Sequence, residues 1–588
     1  MNGFYGRILE VDLNARQFLI EKVSDGILKT YLGGKGLGSH LLFTKNPLGV
    51  DPLDAGNILI FATGPATGSP ICGGCRYGVF TKSPLTGIYS ESYSGGRVPE
   101  AIDAAGFDAV VIRGKSDVPL VLSVYPDGAL FHQAPDLWGK DTYETEDLVP
   151  ERFGPAAGDF KKRGVVVIGP AGENLVRFAV IENDHWRSAG RTGVGTVMGA
   201  KKLKAVLFQG NRKRPIFDTD ALRTFARNIA EEGKDHPGVK AYKAMGTPMM
   251  VKIVNQAGAF PTRYWQQGRY EKWEKISADA LHSRCYVKPS ACLKCFMACG
   301  RLTTVREGRH AGLQIEGPEY ETIYAFGGLC LIDSIEEIAY LNDLCDRLGM
   351  DTITGGNLCA FTIEAARRGR ISLPIDYGNV DDIANLLEKI AHRKGIGAVL
   401  AEGIRFAAKE WDLEDIAVHA KGMEPAGYDP RVLKGMGLGY ATSDRGACHL
   451  RATFYKPEIS GMIKPDQIEG KAEMFVDFED RLTVFDTLVL CRFYRDLYTW
   501  ERLGEMIHAV TGLPAKQQNL RAIAASVSTV IRRFNIREGL VRNDDRLSPA
   551  LHRALADSGK NIKEDELAYM VKEYYRLRGW SDQGIPPG

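Results

Sequence analysis

The stretch Ala205-Val206-Leu207-Phe208-Gln209-Gly210-Asn211-Arg212-Lys213-Arg214-Pro215 divides the chain into two kinds of pattern. It opens as an apolar run of strand character and closes in a polar, basic, turn-forming segment. Downstream, residues 218–234 have the apolar spacing of an amphipathic helix, and helix periodicity dominates from there on. Upstream, strand signals dominate. Alternation through Ile8, Val11 and Leu13, a turn at Asn14-Ala15 and resumption through Phe18 and Ile20 predict a hairpin. Further strands are expected at 57–61, 77–81, 109–113, 120–125, 165–169, 176–182 and 205–210, with few helices between them.

The pattern predicts an α+β, multidomain chain. A β-rich N-terminal domain (1–212) is followed by two mostly α-helical domains (213–422 and 423–588), the second boundary falling in the turn-rich stretch 422–430. In the helical part, Ser334-x-x-Glu337 reads as a capping box opening a helix that ends at Gly349. Ile383, Leu386, Leu387 and Ile390 keep one helical face, and a long helix is expected at 517–534. No repeat of 20 to 50 residues is evident.

The chain has 588 residues, 75 Lys+Arg against 73 Asp+Glu, and 44% apolar residues. That length suggests about three or four domains. A formal net charge of +2 with interspersed signs provides no field for nucleic acid or an anionic membrane. No run approaches the ~18 to 20 apolar residues of a membrane span, so a cytoplasmic protein is expected. Eleven cysteines, three of them within eight residues, suit a metal centre in a reducing compartment better than a disulfide framework.

Those three form Cys292-Leu293-Lys294-Cys295-Phe296-Met297-Ala298-Cys299. C-x2-C-x3-C can wrap three thiolates around an iron–sulfur cube whose fourth iron needs a distant cysteine. A structural zinc site is the alternative, although no second close cysteine or histidine pair accompanies the run. Glycine is enriched (65 residues) and clustered, notably in Gly33-Gly34-Lys35-Gly36-Leu37-Gly38 and Arg191-Thr192-Gly193-Val194-Gly195-Thr196. Neither matches a P-loop or dinucleotide fingerprint; each reads as a phosphate-contacting loop or simply a turn. Two acidic D-x4-[DC] patterns, Asp346-Arg347-Leu348-Gly349-Met350-Asp351 and Asp486-Thr487-Leu488-Val489-Leu490-Cys491, can accept hydrogen bonds from a planar heterocycle or be solvated helix ends. The second also supplies Cys491 as a candidate fourth cluster ligand.

Together these residues resemble the aldehyde ferredoxin oxidoreductase family of tungsten-pterin enzymes. The resemblance runs from Gly6-Arg7-Ile8-Leu9 through Ala62-Thr63-Gly64-Pro65, Ser83-Pro84-Leu85-Thr86-Gly87, Ala189-Gly190-Arg191-Thr192-Gly193 and the cysteine run. It continues through Glu316-Gly317-Pro318-Glu319-Tyr320-Glu321, both acidic patterns and Arg445-Gly446-Ala447-Cys448-His449 to Arg578-Gly579-Trp580, spanning essentially the whole chain.

The resemblance implies a β-rich base domain under a bis-pyranopterin tungsten (or molybdenum) cofactor, with two helical domains closing over it. It implies that Cys292, Cys295, Cys299 and Cys491 hold a [4Fe-4S] cluster, and that the acidic motifs, with Asp346, Gly349, Asp351, Asp486 and Leu490, contact the pterins. Arg76 would lie between cluster and pterin. The loops 89–94, with Ser92 and Tyr93, and 187–193, with Ala189, Gly190, Arg191 and Gly193, would face the pterin phosphates and a bridging Mg²⁺. The implied reaction oxidises an aldehyde with water to a carboxylic acid. Two electrons pass to ferredoxin or to iron–sulfur or flavin electron-transfer subunits of a homodimer or hetero-oligomer. His449 would polarise the carbonyl or move a proton, with Glu316 or Glu319 as base. The helix containing Ile332-Asp333-Ser334-Ile335-Glu336-Glu337 lacks the Glu-x-x-His pair that would hold an interfacial iron.

Two other readings stay open: the catalytic subunit of a benzoyl-CoA-type aromatic acyl-CoA reductase on the same scaffold, and a pterin-free iron–sulfur electron-transfer subunit.

Overall fold

The computed structural model describes residues 1–587. The first third forms two six-stranded mixed sheets. One is built from β1 (Arg7–Asp12), β2 (Gln17–Lys22), β3 (Leu59–Ala62), β4 (Tyr77–Lys82), β5 (Tyr89–Ser94) and β6 (Ala109–Arg113), in the order β2-β1-β6-β3-β4-β5. The other comprises β7 (Leu120–Tyr125), β8 (Gly128–Gln133), β9 (Lys162–Val167), β10 (Ile181–Asn183), β11 (Arg187–Ala189) and β12 (Leu203–Gly210), ordered β11-β10-β9-β12-β7-β8. The expected hairpin is the β1–β2 pair, in which Arg7 faces Lys22 and Asp12 faces Gln17.

Alternation places Leu9, Val11, Phe61 and Ile112 of the first sheet in one apolar core with Leu122, Val166, Val206 and Phe208 of the second. Phe61 and Phe208 meet edge to face at 5.5 Å. The opposite face of the first sheet is also covered. Ile8, Ile60 and Phe80 pack with Leu37 and Leu41 of the helix Gly34–Lys45 and with Val527, Ile531 and Phe534 of the distant helix Gln517–Arg537. Each such fully buried aliphatic or aromatic side chain contributes ~1.5–3 kcal/mol relative to exposure, so the C-terminal part of the chain is anchored on the N-terminal sheet.

Three local expectations are corrected. Tyr89–Ser94, expected as a loop, is strand β5, paired in register with β4 from Tyr77↔Ser94 to Lys82↔Tyr89. Of 176–182 only the end is strand, because its backbone pairs elsewhere: Val180 N donates to Gly349 O at 3.0 Å and Asp351 N to Phe178 O at 3.3 Å. Helices also interrupt the β region more than alternation suggested. Gly34–Lys45 is one of them, so the Gly33–Gly38 run is a buried helix start.

Downstream the expected helices form. Asp218 caps Thr219–Asp235 through Ala221 N at 2.9 Å. Ser334 Oγ accepts from Glu337 N at 3.4 Å at the head of Ile335–Leu348, which ends at Gly349 with φ +75°. That left-handed conformation favours glycine. A small antiparallel sheet of β13 (Cys285–Ser290), β14 (Gly300–Val305) and β15 (Gln314–Glu316) carries the cysteine run in its β13–β14 connection. Among the described residues no helix is long and apolar enough to cross a membrane.

Candidate active site

A cavity of about 240 Å³ lies between the sheets and the helical region. The sheets supply Arg76, Ser92 and Tyr93, with Trp186, Ser188, Gly190 and Arg191 at and beyond β11; the residues after β14 supply Glu316, Glu319 and Glu321. The helix Ile335–Leu348 and the start of the next provide Asp346 and Asp351, and the loop after Lys434–Thr442 provides Arg445 and His449. Residues far apart in sequence thus converge on one space.

The three glutamates differ in environment. Glu316 is ion-paired with Arg187, and burial pushes its carboxyl up despite that cation. Glu319 accepts from the Thr247 hydroxyl, and burial raises it too. Glu321 is the one beside the histidine, its Oε1 3.5 Å from His449 Nε2 while Oε2 accepts from Gly427 N at 2.9 Å. Burial pushes Glu321 up to about 7. Glu321 belongs to the Glu316–Glu321 motif but is not among the bases expected from the sequence. No local sequence signal separates it from Glu316 and Glu319; in the structure it sits in the turn Tyr320–Thr322, just before the buried π-helical segment Ile323–Leu329, a feature frequent at functional sites.

His449 is pushed well below the ordinary histidine range by burial, reinforced by Arg191, Arg445 and Arg492. It is a neutral imidazole at physiological pH. Its ring stands 5.8 Å from Tyr428, which stacks on Tyr455 at 4.0 Å. Tyr428 also lies 5.3 Å from Tyr320. These rings hold the imidazole in place.

The acidic motifs are held by close backbone approach. Thr142 Oγ1 donates to Asp346 O at 2.8 Å, and a Cβ on Gly169 would come within 2.5 Å of Leu348 O. Around Asp486, a Cβ on Gly34 would overlap the Asp486 carbonyl oxygen, and one on Gly64 would sit 2.6 Å from the Leu488 carbonyl carbon. Much of the glycine enrichment thus serves packing between chain segments. Asp351 caps the helix Thr352–Arg367, its Oδ1 accepting from Ile353 N at 3.0 Å, and its Oδ2 accepts from Arg191 Nε at 2.8 Å. Arg191 also reaches Glu424 O at 2.9 Å. Burial raises Asp346 well above the carboxylate range, and Asp486 pairs with Arg492 outside the cavity lining.

Ala189 is inside strand β11, opposite Ile181. Gly193 adopts φ +79° ahead of the helix Val194–Ala200. Gly349 and Leu490 belong to backbone turns that close the two acidic-motif helices, and these four residues do not line the cavity.

The four expected cysteines are neighbours. Cys295 and Cys299 are each raised by burial and then by the nearby Cys491, with Cys292 adding to both. Lys294 and Ala298 take φ +59° and +45°, which folds the run tightly back on itself. Cys75 joins them, a fifth cysteine that the sequence reading left out although Cys72-Gly73-Gly74-Cys75 is itself a C-x2-C pair. Its thiol hydrogen-bonds Cys292, which with Arg187 and Gly96 N–H holds Cys292 down to about 5. Arg76 faces Cys491, Cys292 and Cys75, and its Nη2 donates to Tyr93 O at 3.1 Å. Among the described residues no three His, Cys, Asp or Glu side chains converge as ligands of one metal ion.

The cavity wall also presents buried polar atoms without protein partners: Arg76 Nε, Trp186 Nε1, Arg445 Nε and His449 Nδ1, and Glu321 Oε1 as hydrogen-bond acceptor. Unpaired buried polar atoms are costly, and their concentration here fits a large, polar, heterocyclic group.

Models of the aldehyde ferredoxin oxidoreductase N-terminal domain and of its domains 2 and 3 match residues 8–210 and 224–588. The tungsten-containing aldehyde ferredoxin oxidoreductase of Pyrococcus furiosus is 34% identical over 607 residues, covering 100% of this chain and 98% of that protein. The aliphatic sulfonate oxidoreductase, WOR-like subunit, of the same organism is 29% identical over 628 residues, covering 100% and 96%. A solved structure of the active-site complex of benzoyl coenzyme A reductase with 1,5-dienoyl-CoA shares the fold, with a TM-score of 0.83 at 24% identity over 100% of this chain and 96% of that one.

Proposed function

The chain belongs to the aldehyde ferredoxin oxidoreductase family and is an oxidoreductase enzyme; from that premise we propose that it oxidises an aldehyde with water to a carboxylic acid on a tungsten bis-pyranopterin. A [4Fe-4S] cluster held by this chain's cysteines would supply the path for two electrons to ferredoxin or a partner electron-transfer subunit. The observation that carries this reading is the Glu321–His449 contact facing one cavity with Asp346, Asp351 and Arg76.

In this reading Cys292, Cys295, Cys299 and Cys491 would hold the cluster, and Arg76, near Cys491 and on the cavity wall, would lie between cluster and pterin. Four neighbouring cysteine thiols are the donor set that an iron–sulfur cube takes. Asp346 and Asp351, which line the cavity, would accept from pterin N–H groups, as would Asp486 once released from Arg492, and residues of the 89–94 and 187–193 segments would hold the phosphates and Mg²⁺. The three-domain division at 212 and 422 and a cytoplasmic location belong to the same reading. When bound, the tungsten centre supplies the two-electron oxidant and Lewis acid. The chain supplies proton chemistry. His449, neutral, donates a hydrogen bond to the substrate carbonyl oxygen, and Glu321, near 7, takes the proton from water or the hydrated aldehyde.

The test is elemental analysis of anaerobically purified protein together with aldehyde-dependent reduction of a viologen dye. About one tungsten and four irons per chain with turnover is expected. Iron without tungsten or molybdenum would favour a pterin-free electron-transfer subunit. The fold likeness to benzoyl coenzyme A reductase supports the second enzymatic reading, which reduction of an aromatic thioester without aldehyde turnover would establish.

A further inference from the structure

We infer that Arg187 is a positioning residue that sets the reduction potential of the cluster and couples it to the charge on the cavity wall. Its Nη1 donates to Cys292 Sγ at 3.1 Å, while its Nη2 is ion-paired with Glu316, which lines the cavity. The two side chains keep only 18% and 9% exposure, so solvent screens the arrangement weakly. Two glycines make room for it. A Cβ on Gly95 would stand 3.0 Å from Cys292 Sγ, and one on Gly96, at φ +100°, would stand 2.9 Å from Arg187 Cδ. Gly96 N adds a second donor to the same sulfur at 3.3 Å.

The inference rests on the proposed cluster at Cys292, Cys295, Cys299 and Cys491. One-electron reduction adds a negative charge to the cluster and its thiolates. The electron comes from the aldehyde in turnover and from dithionite in a titration. N–H donors and a guanidinium at a ligand sulfur stabilise that added charge and raise the potential. Glu316 opposes this through its own negative charge. Its pairing with Arg187 assigns it to electrostatic coupling rather than proton acceptance.

The test is a mediated redox titration, followed by electron paramagnetic resonance, of anaerobically purified wild-type, R187Q, R187K and E316Q holoenzyme. Iron is counted in each. R187Q is expected to shift the cluster midpoint to lower potential and E316Q to higher, with R187K lying between R187Q and wild type. A merely structural role would not produce opposite shifts from the two halves of one ion pair. Equal midpoints in variants that retain about four irons overturn the inference and leave the cluster assignment standing. If R187Q loses its iron, R187K and E316Q decide. A wild-type protein without iron overturns the cluster assignment, and this inference with it.

Discussion

Nε2 of His449 stands 3.5 Å from Oε1 of Glu321, joining the loop after the helix Lys434–Thr442 to the helical turn Tyr320–Thr322. The two side chains keep 13% and 19% exposure, and both line the cavity. Burial acts on them in opposite directions, raising the carboxyl and lowering the imidazole, so both are biased toward their neutral forms.

Glu321→Gln is expected to lower kcat by ~10²-fold or more while tungsten and iron contents stay unchanged, with smaller losses for Glu316→Gln and Glu319→Gln. A carboxyl raised to about 7 is mostly protonated at pH 6 and ionised at pH 8. A base requires the ionised form, so kcat/KM should rise through about pH 7 and level off above it. Viologen-linked rates across that range should show the rise in wild type and not in the variant; an unchanged profile would remove Glu321 from proton transfer.

His449→Asn should retain the cofactor and lose ~10²-fold or more in turnover. Since burial holds the imidazole neutral, protonation of His449 should not shape the wild-type profile at neutral and alkaline pH. Normal kinetics in the variant, measured with a saturating aldehyde, would end its catalytic role.

Cys491→Ala should strip the cluster and most activity, seen as loss of the roughly four irons per chain and of the cluster's visible absorbance. Cys75→Ser should keep the iron, because in this assignment Cys75 hydrogen-bonds a ligand without being one. Iron loss on changing Cys75 with full retention on changing Cys491 would reverse the two assignments.

Gly64→Ala and Gly169→Ala should lower Tm, each by an amount corresponding to at least ~2 kcal/mol, and reduce tungsten occupancy, since each new Cβ runs into backbone of an acidic-motif segment. Gly26→Ala is the control. It lies in the helix Asp25–Tyr31 with no atom closer than 3.8 Å to its Cβ, and should be neutral or stabilising by ~0.5–1 kcal/mol. Scanning calorimetry of the three variants distinguishes glycines required for close packing from an unhindered helix glycine.

Where the sequence was read well, the signal was local. The β1–β2 hairpin, the strands Ala109–Arg113 and Leu120–Tyr125, and the helix opened by Ser334 and closed at Gly349 all follow from patterns within a few residues of one another. The misreadings were non-local. Tyr-Ser-Glu-Ser-Tyr-Ser at 89–94 is too polar for an ordinary buried strand, yet Glu91 is buried against Lys35 at 3.2 Å. Residues 176–180 have strand composition, but Val180 N bonds Gly349 O, Phe178 O accepts from Asp351 N and Arg177 N bonds Ala401 O, so the segment joins distant loops rather than a sheet.

The sequence by itself determined the order of a strand-rich first third and a helical remainder, the cysteine run and the family, because periodicity, capping and motif spacing are properties of neighbouring residues. Tertiary structure alone decided which glutamate meets His449, that Cys75 joins the cysteines, and that Arg187 links Cys292 to Glu316. Those contacts depend on how segments more than a hundred residues apart in sequence pack, and on burial that shifts charge equilibria only after the chain has closed around them.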